Sequence, residues 1–282
     1  MTDRMDAQLN AITTELASSA PLPPPMPPLA SQRRPWVLGA SVAAAAFAGI
    51  VLVAVAALMA WTHYATTVST ASASEVFESA GATPVAVVMR DGNALRGYLW
   101  VGNEHGTLIM SAYGERIEEL LTLATSAHAD GATVMLIDPR GQGGSGGAPS
   151  AGLLVSDMED AIADLTTRGV SDVVAVGIRH TATAAIVVST EPPDTVRGVV
   201  AFFPFEQYQG VDAIGVVADA GVPLTIVGAS APSHLGPWAG HLAAAAPDGT
   251  TGILLPPLPS DEEFLAHYMG DMVAILRSAS TG

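Results

Sequence analysis

Apolar and polar positions along this chain follow three regimes in turn. Residues 1–35 carry no periodic apolar pattern, and Pro21–Pro28 (PLPPPMPP) reads as a polyproline-like spacer. Trp36–Trp61 is then an uncharged apolar run of 26 residues, about 39 Å long as a helix, enough to cross a bilayer with some tilt. Thr62–Gly282 shows short apolar bursts that alternate between strand-like and helix-like spacing.

Within that last regime, Val85–Met89 and Leu95–Val101 flank Asp91-Gly92-Asn93, which predicts a hairpin. Thr107–Met110 predicts a third strand. Ile117, Leu120, Leu121 and Ala124 share one helical face, and Gly131 ends that helix. Ala132–Ile137 is continuously apolar, as a strand buried on both faces should be. Met158, Ile162 and Leu165 mark a helix closed by Gly169. Further strands are predicted at Val173–Val176, Val199–Phe202, Leu224–Val227 and Ile253–Leu255, with helices near residues 181–190, 211–220 and 237–246. A last helix begins with a capping box, Ser260 to Glu263, and turns Phe264, Tyr268, Met272 and Ile275 inward. An opening hairpin followed by repeated strand–helix units predicts an α/β fold: a mostly parallel sheet with helices on both faces.

The apolar run fixes the expected organisation. Arg33 and Arg34 precede it and no basic residue follows until Arg90, so the positive-inside rule places residues 1–35 in the cytoplasm. Trp36, Trp61 and Tyr64 stand where interfacial aromatics belong. The reading is therefore a cytoplasmic Pro-rich tail (1–35), a single transmembrane helix (36–61), a juxtamembrane linker (62–82) and an extracytoplasmic domain (83–282). A cleavable signal peptide fits less well, because the apolar stretch is too long and begins too late.

Charge and composition narrow the chemistry. The net charge is −16 over 282 residues, and Asp3, Asp6 and Glu15 cancel Arg4, Arg33 and Arg34, so the excess lies beyond the apolar run. Such a surface repels nucleic acid. There is no cysteine, which excludes disulfides and thiolate chemistry, and there is no lysine, which excludes a P-loop. The histidines form no close pair on one helix face, so neither a metal nor a cofactor is expected.

The stretch Asp138-Pro139-Arg140-Gly141-Gln142-Gly143-Gly144-Ser145-Gly146 resembles the D-x-R-G-x-G-x-S loop of the α/β-hydrolase superfamily. Asp157-Met158-Glu159-Asp160, Gly169-Val170 and Val173–Gly177 match the family's run into its nucleophile strand. The resemblance spans about Val85 to Arg277 and implies an α/β-hydrolase fold.

It also implies where reactive groups should stand, and none does. The family's His-Gly pair after the third strand is replaced by Ser111-Ala112. Its G-x-S-x-G elbow reads Gly177-Ile178-Arg179-His180-Thr181, with Arg179 as the nucleophile position. The acid position falls on Ala231 and the histidine position on Ser260, which serves better as a helix cap. The expectation is a non-catalytic domain with a binding or assembly role, its partner a protein, an envelope component or a small anion. Arg179, His180 and Ser111 are the pocket candidates, and Arg179 at a helix N-terminus suits a carboxylate or phosphate. The bland alternative for Arg179 is a relaxed elbow in which it pairs with a nearby carboxylate such as Asp138 or Asp157.

Two alternatives remain. Gly143-Gly144-Ser145-Gly146-Gly147 satisfies G-x-S-x-G literally, so a membrane-anchored esterase-like hydrolase would use Ser145 with His180 or His234. The elbow needs a strand directly before it and a helix directly after, and Ser145 has neither. Alternatively, the cytoplasmic tail carries the function.

Overall fold

The computed structural model describes residues 74–230, 237–257 and 264–281. The span assigned to 36–61, the tail before it and the sequence positions of Ala231, His234 and Ser260 lie outside the described residues. Among the described residues, no helix is long and apolar enough to cross a membrane.

The hairpin predicted around Asp91-Gly92-Asn93 joins β1 (Thr83–Val88) to β2 (Ala94–Trp100), and Gly92 supplies the positive φ, 83°, that the turn requires. The other strands of the sheet are β3 (His105–Met110), β4 (Thr133–Ile137), β5 (Asp172–Ile178), β6 (Val196–Phe202), β9 (Leu224–Ala229) and β10 (Thr251–Leu255). Their order is β1-β2-β4-β3-β5-β6-β9-β10. β2 pairs antiparallel with both β1 and β4, and every pair from β4 to β10 is parallel.

Alternating side chains of these strands feed two cores, as the two-residue period demands. On one face, Leu108, Met110, Met135, Ile137, Val173 and Ala175 pack against α2 (Leu154–Thr167), α3 (His180–Val188) and α4 (Pro237–Ala245). On the other, Ile109, Val134, Leu136, Val174 and Val176 meet α1 (Leu121–Ala129) and α5 (Phe264–Thr281), with Phe77 from the helical residues 74–79. α2 ends in a Schellman arrangement: Gly169 takes φ 95°, its N–H donates to Thr166 O, and the Val170 N–H donates to Leu165 O.

Two expectations are corrected. The helix expected near 211–220 does not form. Val211–Asp212 is strand β8, paired with β7 (Gln207–Tyr208), and only Val217–Asp219 makes a 3-10 turn. Gly210 sits at φ 94°, and the Asp212 carboxylate accepts the Gly215 N–H at 3.0 Å, a local bond that competes with helix. In α5 the inward stripe is Leu265, Tyr268, Met272 and Leu276, whereas Ile275 is half-buried at its margin. The capping box at Ser260 lies outside the described residues.

A buried ion cluster ties the loop after β4 to two other elements. Arg140 Nε and Nη2 bond both oxygens of Asp157 in α2 at 2.7 and 2.5 Å, and Nη1 reaches Asp91 of the hairpin turn at 2.9 Å. Arg140 and Asp157 are almost wholly buried. Burial pushes the Asp157 carboxyl up, against the pull of Arg140, so the guanidinium is what keeps this charge tolerable in the core. We expect Arg140→Ala to lower stability by about 3–5 kcal/mol in urea unfolding, because it strands the Asp157 charge. A loss below about 1 kcal/mol would contradict that role.

Candidate functional site at the ends of the central strands

The parallel register brings four strand ends level. Met110 of β3 pairs with Ile137 of β4 and with Gly177 of β5, and Ile178 of β5 pairs with Phe202 of β6. The next residues, Ser111, Asp138, Arg179 and Phe203, therefore form a row along the carboxyl edge of the sheet, where open α/β folds build sites.

The elbow between β5 and α3 is intact as a backbone. Arg179 takes φ 54° and ψ −109°, a region that L residues avoid. The Arg179 N–H is anchored on Phe202 O at 2.8 Å. Gly177 is required: a Cβ there would overlap the Thr181 carbonyl oxygen and the Ala182 backbone. Where the second elbow glycine would stand, Thr181 is fully buried, and its hydroxyl donates to Met110 O and accepts from Ile178 N–H, both at 2.8 Å. The Thr181 hydroxyl thus staples the turn to β3.

Arg179 pairs with neither Asp138 nor Asp157. Its Nη1 lies 3.4 Å from Glu115 Oε1, in the loop after β3. The Glu115 side chain is 9% exposed, and its Oε2 is buried without a hydrogen-bond partner. Burial pushes the Glu115 carboxyl up to about 7, although Arg179 pulls the other way. Glu115 also walls an open cavity of about 790 Å³ that includes Arg96, Tyr98, Arg116, Asp138 and Gln142.

His180 points into an aromatic cluster. Its ring lies 4.3 Å from Tyr208, 5.0 Å from Phe205 and 5.9 Å from Tyr113, and Trp238 stands 5.0 Å beyond Phe205. Burial, helped by the Arg179 charge, holds His180 down at about 4, so the ring is neutral at pH 7. Its Nδ1 is buried and unbonded. Thr183 Oγ1 holds the cluster by accepting the Phe205 N–H at 3.0 Å.

The other sequence candidates are tied up in structure. Ser111 is fully buried and donates to Asp138 Oδ1 at 2.7 Å; burial raises that carboxyl to about 6. The Ser145 hydroxyl donates to Asp138 O at 2.9 Å and accepts the Arg96 N–H at 2.8 Å, and no histidine contacts it among the described residues. It fastens the loop to β2. Arg179 and His180 come together with Glu115, Tyr113, Phe205, Tyr208 and Trp238, none of which the sequence reading singled out. An acid five residues past β3 and aromatics just past β6 were the available signals, and neither has a diagnostic spacing. Among the described residues no group of histidines and carboxylates could hold a metal.

No protein-family model matches the sequence, and no curated protein is similar to it in sequence. Solved structures do match. The esterase Pf2001 of Pyrococcus furiosus superposes with TM-score 0.56 at 14% identity, over 71% of this chain and 93% of that one. A predicted CIB-like hydrolase from Thermoplasma acidophilum gives 0.56 at 16% identity, over 70% and 98%. Est1E from Butyrivibrio proteoclasticus, solved with ferulic acid bound, gives 0.57 at 12% identity, over 70% and 100%. The chain has the α/β-hydrolase fold.

The two displaced ionisations make opposite demands on pH. His180, held below its ordinary value of 6.5, stays uncharged in the fold, so its contribution to stability is lost as pH falls from 6.5 through about 4. Glu115, held above 4.5, favours the protonated form, so its contribution is lost as pH rises from 4.5 through about 7. In urea unfolding at pH 4.0, 5.5 and 7.5, we expect His180→Phe to lose more stability with rising pH than the parent, by about 1–2 kcal/mol, and Glu115→Gln to lose less. The reverse order would contradict these burials.

Proposed function

We propose that this domain is a binding module that keeps the α/β-hydrolase fold without its chemistry, held outside the cytoplasmic membrane by a helix over residues 36–61. The observation that carries the reading is Arg179. A guanidinium occupies the elbow position from which a nucleophile would act, and a guanidinium cannot be deprotonated to attack a carbonyl. The three positions that the resemblance assigns to nucleophile, acid and base hold Arg179, Ala231 and Ser260 instead.

The ligand side of the reading rests on the same place. Arg179 is 26% exposed at the N-terminus of α3, where both its own charge and the helix dipole favour an anion. The half-buried rings of Tyr113, Phe205 and Tyr208 gather about the adjacent His180, with Trp238 beyond Phe205, and add an apolar surface. A small anionic ligand is therefore the preferred partner, with the lipid bilayer engaged through the span.

A second reading, a membrane-anchored ester hydrolase with a non-standard site, is favoured by the esterase names of the structural neighbours. Short-chain p-nitrophenyl esters and a fluorophosphonate probe decide between them, applied to the full-length protein and to Ser145→Ala. The expected result is a folded protein with neither turnover nor label. Turnover and labelling that both vanish in Ser145→Ala would establish the hydrolase instead. In the same preparations the protein should sediment with membranes and become soluble when residues 36–61 are deleted; solubility of the intact chain would remove the anchor from the proposal.

A further inference from the structure

Glu115 is a strange partner for Arg179 if the pair is only a structural tie. The contact is a single, long one at 3.4 Å, whereas Arg140 grips Asp157 through two bonds of 2.7 and 2.5 Å. Glu115 is nevertheless nine-tenths buried and leaves Oε2 unbonded, which is costly for a carboxylate that serves only to hold an arginine. It also lines the 790 Å³ cavity, so the side chain has somewhere to go without disturbing the core. A loosely held internal carboxylate on a partly exposed guanidinium has the chemistry of a stand-in for an external one.

We infer that the elbow site takes a carboxylate ligand with an aromatic body by exchange: the ligand carboxylate replaces Glu115 on Arg179, and Glu115 takes up a proton from solvent. This rests on the binding role proposed above. The incoming group is a carboxylate because that is the chemistry Arg179 already holds. The body is aromatic because the ring of His180, neutral at pH 7, sits among Tyr113, Phe205 and Tyr208, and stacking on such rings favours a flat apolar group.

Proton uptake follows from what surrounds Glu115. Arg179 is the cation that favours its charged form, and Glu119 opposes that form. On the cavity side stand Glu118, Asp138, Arg116 and Arg96; Arg116 is turned to Glu118 at 3.6 Å, so it offers a displaced Glu115 little compensation. When the ligand claims Arg179, the carboxyl is left buried beside other acids. It already titrates near neutrality with Arg179 in place, and losing that partner moves it higher. Binding should therefore weaken as pH rises above neutrality, by up to about tenfold per unit.

Calorimetric titration of the full-length protein with ferulate tests this, run at pH 6.5, 7.5 and 8.5 in buffers of different ionisation enthalpy. We expect the affinity to fall across that range, with proton uptake per ferulate bound rising from a fraction at pH 6.5 towards one at pH 8.5. Glu115→Gln should bind ferulate with no proton uptake and little pH dependence, and acetate should bind the parent more weakly than ferulate. Arg179→Met should abolish binding, and Arg179→Lys should weaken it, which covers the case of a Met variant that does not fold. Ferulate binding without proton uptake, or uptake that survives in Glu115→Gln, overturns the exchange while leaving the binding role intact. Absence of ferulate binding at every pH overturns the ligand assignment. Failure of the binding role itself would read differently, as Ser145-dependent ester turnover.

Discussion

The turn from β5 into α3 is the constraint on which the site depends. A parallel strand that ends level with its neighbours must feed a helix packed back across the same sheet, and here the chain has a single residue in which to reverse. That geometry demands the φ 54°, ψ −109° of Arg179, whatever side chain the residue carries. Gly177 permits the approach of α3, and the Thr181 hydroxyl pins the turn to Met110 of β3. Strain of this kind costs on the order of 1–3 kcal/mol and persists only where its surroundings over-determine it. The packed alanines of α3 and the β5–β6 ladder provide that surrounding. An arginine at the apex is thus held over the strand ends, 26% exposed, beside a neutral histidine.

The loop after β4 solves a different problem with residues that a motif search would read as catalytic. Ser145 joins Asp138 O to the Arg96 N–H, and Gly143 leaves room for the Asp138 carboxylate. Arg140 joins α2 to the hairpin turn. Each polar group of the D-x-R-G-x-G-x-S stretch is used in holding three elements together. These contacts give the stretch an architectural role.

Much of the fold was legible in the sequence because the strands announce themselves by two-sided apolarity. Ala132–Ile137 and Val173–Val176 are buried on both faces and appear within a residue or two of their place. Segment 211–220 was misread because its apolar spacing suits a helix, while Gly210, Gly215 and the Asp212 carboxylate set local turns that periodicity does not register. At the site, Arg179 and His180 could be found because they occupy a turn of known shape. Glu115 could not: a lone acid in a loop has no spacing to betray it, and its pairing with Arg179 spans 64 positions of sequence. The rings of Tyr113, Phe205, Tyr208 and Trp238 come from separate elements and meet only in the folded chain.

The central claim is that the turn between β5 and α3 holds a strained backbone with arginine at its apex. Equilibrium urea unfolding of Arg179→Gly and Arg179→Ala measures it directly, because both remove the guanidinium and differ at this position only in the Cβ that opposes a positive φ. The account predicts that the glycine variant is the more stable of the two by about 1 kcal/mol or more, the reverse of their order at an ordinary helix position. An alanine variant as stable as the glycine variant, or more so, would mean that the elbow has relaxed and that Arg179 is not held over the site.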